Sequence, residues 1–117
     1  MSFYAFRASI ERTSNKISTV MERHHRFDCF VEKLQGVPKP PLAKLQFILQ
    51  AQTSSRTDKQ YALVHLAICA VDGHYLEALR ALEQTLFNDE EVRGFLVLAK
   101  AHCRLLSQSR PFYDETF

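Results

Sequence analysis

At 117 residues and 13.5 kDa, with 46% hydrophobic and 24% charged residues, the chain suits one packed domain, and the composition excludes wholesale disorder. Only three glycines and four prolines punctuate it, too few turn signals for an all-β fold, so an all-α architecture is expected. The net charge of +2 divides into +5 over residues 1–60 and −3 over residues 61–117, but the basic residues are spread singly apart from Arg23-His24-His25-Arg26, which makes nucleic-acid binding through the first half the weakest functional reading.

From Phe3 to Leu34 the seam positions recur at alternating steps of three and four: Phe3, Phe6, Ile10, Thr13, Ile17, Val20, His24, Phe27, Val31, Leu34. This heptad pattern predicts an N-terminal amphipathic helical region over residues 1–35. Two versions remain open. A continuous helix would run roughly 45 to 50 Å at about 1.5 Å per residue. A break at Thr13-Ser14-Asn15, whose side chains compete for backbone hydrogen bonds, would let Thr19 and Glu22 cap a restarted helix. In either version Phe3, Phe6, Ile10, Ile17, Val20, Phe27, Val31 and Leu34 form an apolar strip that the rest of the chain, a second copy or another protein must cover.

Gly36 reads as a helix C-terminal glycine, and Val37-Pro38-Lys39-Pro40-Pro41 as a stiff connector. A second helix follows, with Leu42, Leu45, Ile48 and Leu49 as its apolar stripe and Gln46 and Gln50 on the other side. Thr57 with Gln60 resembles a capping box for a third segment. Tyr61 to Val71 is apolar nearly all round and is expected at the buried centre. Asp72-Gly73 makes a turn into a fourth helix from about His74 to Phe87, with Tyr75, Ala78, Leu79, Leu82 and Leu86 on one face. Asn88, three residues before Glu91, is expected to cap a fifth helix that ends near Leu106. The body is thus placed at 42–106 and a flexible tail at 107–117, within a single domain.

Residues 61–106 resemble the tetratricopeptide repeat, a helix-turn-helix unit of about 34 residues. The matching residues are Leu63, Leu66 and Ala67 in the first helix, Gly73 and Tyr75 at the turn, Ala78 and Leu82 in the second helix, and Phe95, Leu98 and Ala99 opening another unit. Thr85 stands near the family's small residue and Glu90 near its proline, which are departures from the pattern. The resemblance implies antiparallel helical hairpins and a concave groove that takes a helix or peptide of another protein. In size the chain is also similar to small repeat-type chaperones of bacterial type III secretion systems. In such a groove His65, Cys69, Lys100 and Arg104 are the polar candidates, and Lys100 and Arg104, one turn apart, would meet an acidic ligand.

No chemistry of bond-making is legible. The three cysteines, Cys29, Cys69 and Cys103, form no Cys-x-x-Cys pair, and each lies in an apolar helical pattern, as free thiols of a cytoplasmic protein do. Arg7, Glu11 and Arg12 interrupt any secretory leader, and the apolar run Tyr61–Val71 falls short of the roughly 20 residues that span a bilayer. His65 and Cys69 lack the further ligands of a zinc site, and glycines at 36, 73 and 94 make no phosphate loop. Neither an enzyme, a metal site nor a cofactor is expected. The leading reading is an adaptor or chaperone that binds another protein; the alternative is a structural helical protein that self-associates through the Phe3–Leu34 seam.

Overall fold

A helical stretch that is apolar nearly all round must be wrapped by others, and that is how residues 61–68 sit. The computed structural model describes the backbone of residues 3–109 and the side chains of residues 19–105. Its elements are α1 (Phe3–Leu34), α2 (Leu42–Gln50), α3 (Arg56–Ile68), α4 (Gly73–Ala81) and α5 (Glu90–Ser109), with short 3-10 turns at Cys69–Val71 and Gln84–Leu86. There is no strand among the described residues. Leu63, Val64, Leu66 and Ala67 of α3 are all at most 1% exposed. Helix α3 packs against α1, α2, α4 and α5 alike.

Helix α1 runs unbroken through Thr13-Ser14-Asn15 for 32 residues, about 48 Å at ~1.5 Å per residue. Their helix propensities fall only some tenths of a kcal/mol per residue below alanine, and no glycine or proline interrupts the run. The helix stops where Gly36 adopts φ +77°, and the Val37 N–H closes the last turn on the Leu34 carbonyl at 3.2 Å. The proline connector is then tied to the start of α4. The Tyr75 hydroxyl donates to the Pro40 carbonyl at 2.6 Å, while Lys39 Nζ pairs with Asp72 Oδ2 at 2.6 Å and lies 4.5 Å from the Tyr75 ring centroid.

The lower half of α1 docks through aromatic rings. Phe30 stacks on Tyr61 of α3 with centroids 4.0 Å apart, and Phe27 and Phe30 both meet Phe95 of α5 edge-on at 5.6 and 5.4 Å. Arg23 extends the contact by laying its guanidinium across Gly94. A Cβ at that glycine would come within 2.5 Å of Arg23 Cδ and Nε, which explains a residue that otherwise weakens a helix interior by about 1 kcal/mol. The guanidinium ends on Glu91, Nη2 to Oε1 at 2.9 Å, and Arg26 reaches the same carboxylate at 3.4 Å. The Arg23 hydrogen bond, outweighing burial, holds the Glu91 carboxyl below its ordinary range.

Four expectations about helix ends need correction. Helix α4 stops at Ala81, not near Phe87, because Leu82 turns extended (ψ 132°) and Lys100 Nζ of α5 captures its carbonyl at 2.6 Å. Leu86 consequently lies in the following 3-10 turn, 62% exposed, and not on a buried helix face. Helix α3 is capped by Ser55, whose hydroxyl accepts from the Asp58 N–H at 3.1 Å, while Gln60 is buried with no described partner for its Nε2. Helix α5 is capped by Asp89 in place of Asn88: its Oδ1 accepts from Glu91 N–H at 2.8 Å and its Oδ2 takes Arg56 Nε at 2.7 Å. The last described turn of α5 reaches Ser109, past the expected Leu106.

Phe95 is fully buried and shared by α1, α3 and α5. Replacing it by alanine is expected to lower unfolding stability by about 3–5 kcal/mol in urea titration; a loss well under 1 kcal/mol would show that this ring is not the point where α1 is held.

Candidate protein-binding surfaces

The strip read from the sequence divides at Arg23. Phe27 is 4% exposed and Val31 and Leu34 pack against the core, so these members are covered by the chain's own α3 and α5 and are not free for a partner. The sequence seam omitted Phe30, 8% exposed, because a globular body calls for a wider stripe than a two-position heptad seam. Above Arg23 the situation reverses. Every residue from Thr19 to Glu22 is exposed, and Val20, a seam residue, is 47% exposed. Phe3, Phe6, Ile10 and Ile17 lie outside the described side chains.

A concavity lies between α2 and the segment after α4. It consists of two adjoining hollows, of about 540 and 220 Å³, that share Leu49 and Gln50 of α2 with Leu82 and Leu86 of the segment after α4. Phe87 and Val92, 5% and 1% exposed, close the floor of the larger one. Carboxamides line the rim: Gln46, Gln50 and Gln52 from α2 and the loop after it, and Asn88 from the approach to α5. The groove exists because α4 stops early. The extended residues 82 and 83 and the turn that follows stand off from α2, and their position is fixed at one end by Lys100 and at the other by the Arg93 Nη1 hydrogen bond to the Phe87 carbonyl at 3.2 Å. Lys59 and Asp89 add one charge of each sign to this lining, and an apolar floor ringed by amide donors and acceptors can meet the edges of a peptide backbone with apolar side chains.

The polar candidates do not converge on this groove or on each other. Lys100 and Arg104 share a smaller hollow of about 160 Å³ between α4 and α5, together with Arg80, which spacing along one helix did not reveal. His65 feels Lys44 of α2, and Cys69 feels Lys39 of the connector and Asp72. Lys100 and Arg104 thus line one hollow, and His65 and Cys69 are not among its lining residues. Alternation of helix faces explains the split: α3 and α5 contribute different sides.

Burial, assisted by Lys44, pushes the His65 imidazole below its ordinary range, and its Nε2 has no hydrogen-bond partner among the described residues. Burial likewise pushes the Cys69 and Cys103 thiols up, away from the thiolate that nucleophilic chemistry uses. Among the described residues no group of three or more His, Cys, Asp or Glu side chains is placed to hold a metal ion, and no helix is long and apolar enough to cross a membrane.

The depressed His65 pKa means that the unfolded chain takes up a proton more readily than the folded one. Its stabilising contribution is full above the ordinary imidazole pKa of about 6.5 and declines as pH falls through and below it. Urea titrations at pH about 7.5 and about 5.5 should therefore show a smaller acid loss in His65→Gln than in the parent chain, and equal losses would mean that His65 is not protected.

No protein-family model, curated protein or solved structure matches the chain.

Proposed function

We propose that the chain is a protein-interaction module, an adaptor or chaperone that takes a peptide or helix of another protein into the groove between α2 and residues 82–92. The observation that carries this reading is the groove's make-up, in which Leu49, Leu82, Phe87 and Val92 form an apolar floor under a rim of amides that also carries Lys59 and Asp89. Leu86 stands at its edge 62% exposed, a large apolar side chain in contact with solvent where a partner's side chain would cover it. The tetratricopeptide-like reading of 61–106 belongs to the same proposal, with α3 and α4 as one helix pair and α5 as the start of another.

Peptides selected from a random library on the parent chain test the reading. Leu86→Asp is expected to weaken the selected peptides by at least about tenfold, as loss of a central apolar contact does. Val97→Asp, on α5 at 46% exposure and away from the groove, should leave them unchanged. Equal binding by both variants would remove the groove from the function.

A second reading, self-association through the upper part of α1, has its own observation: the helix continues above Arg23 with its Thr19–Glu22 turn exposed on all sides. Sedimentation over a concentration series should then show a dimer that Phe6→Asp with Ile17→Asp dissolves. A parent chain that stays monomeric throughout sinks this alternative.

A further inference from the structure

The 160 Å³ hollow between α4 and α5 gathers the side chains of Arg80, Lys100 and Arg104 over a floor of Leu76, Leu79 and Cys103, with no carboxylate in its lining. Leu79 is fully buried and Cys103 is 7% exposed, its thiol directed at the Ala67 carbonyl 3.7 Å away, so the floor is apolar and closed. Arg80 and Arg104 are exposed, and neither forms an ion pair with a described residue. Lys100 is anchored by one donor on the Leu82 carbonyl, which leaves two of the three donors of its ammonium for something else. Elsewhere in the described chain the strong cations facing α5 are matched: Arg23 by Glu91 and Arg56 by Asp89. This hollow is the place where cations converge without an acid.

We propose that this hollow is a second binding site, distinct from the groove, and that its occupant is a segment of a partner protein carrying carboxylates next to an aliphatic or aromatic side chain. Two guanidinium forks and an ammonium offer charge-assisted hydrogen bonds to side-chain carboxylates, and arginine takes these in bidentate fashion. The floor supplies the other half of the recognition. Leu76, Leu79 and Cys103 have nothing to give a hydrated inorganic anion, whereas they cover an apolar side chain well. The volume corresponds to roughly five water molecules at about 30 Å³ each, room for about one side chain. The site is complete without the peptide-binding reading of the larger groove and does not rest on it.

Fluorescence anisotropy with the full chain and a labelled Glu-Leu-Asp-Glu-Phe-Glu hexapeptide tests the site. Binding is expected, weaker with rising salt, and at least about tenfold weaker in the Arg80→Glu, Arg104→Glu double variant, whose two positions are solvent-exposed and whose fold circular dichroism checks. Arg80→Gln with Arg104→Gln provides the same test by charge removal. The amide counterpart, Gln-Leu-Asn-Gln-Phe-Gln, should bind much more weakly, and so should Glu-Gly-Asp-Glu-Gly-Glu, which has the charge without the apolar side chains. Leu86→Asp should leave binding intact, which separates this site from the groove. Failure of the acidic peptide to bind, indifference to the arginine substitutions, or equal binding of the glycine-substituted peptide would each overturn the proposal.

Discussion

The burial of α3 is the constraint on which the other helices depend. A short helix with Leu63, Val64, Leu66 and Ala67 removed from solvent can exist only where neighbours cover it on several sides. Ala62 and Ala67, 2% and 1% exposed, keep two of those approaches close. Covering α3 consumes much of the apolar surface of α2, α4 and α5 and of the lower half of α1. The groove and the basic hollow flank α4 on its two sides, and the groove reaches down to Leu66 of α3.

The length of α1 follows from a different balance. Its lower half has Tyr61 and Phe95 to stack against and Glu91 to hold Arg23, and these contacts end at the first turn of α5. The helix continues beyond that point in sequence and backbone, and among the described side chains Thr19–Glu22 are exposed. The pair Arg23–Glu91 thus ties α1 to the first turn of α5.

Much of this was legible in the sequence where the signal is local. The apolar stripe of α2, the all-round apolarity of α3, Gly36 as a helix stop and the proline connector all act within a few residues. The end of α4 was not legible, because its cause is Lys100, eighteen positions beyond the carbonyl it holds. Caps moved for a related reason. Asp89 displaces Asn88 since only a carboxylate can cap α5 and hold Arg56 at once, and Ser55 displaces Thr57 because Gln60 is drawn into the core and not to a capping box. Lys100 and Arg104 were found as an i, i+4 pair, but Arg80, which completes their hollow, comes from another helix. Gly94, like Phe30, was an overlooked local signal: a glycine inside an otherwise strong amphipathic helix marks a close approach, and Arg23 is what approaches.

Lys100 joins the two surfaces mechanically. Its stem crosses the basic hollow, and its ammonium holds the Leu82 carbonyl, the first residue of the segment that walls the groove. A carboxylate entering the hollow meets a cation that already has a partner. An ammonium carries three donors, so it can keep the carbonyl and accept the carboxylate together, and the second contact fixes the lysine more firmly in the position that the first one needs. A glutamine or methionine at position 100 would leave the hollow less basic and the wall less anchored at the same time. The groove and the hollow are thus lined by different residues and joined through Lys100, which holds one and lines the other.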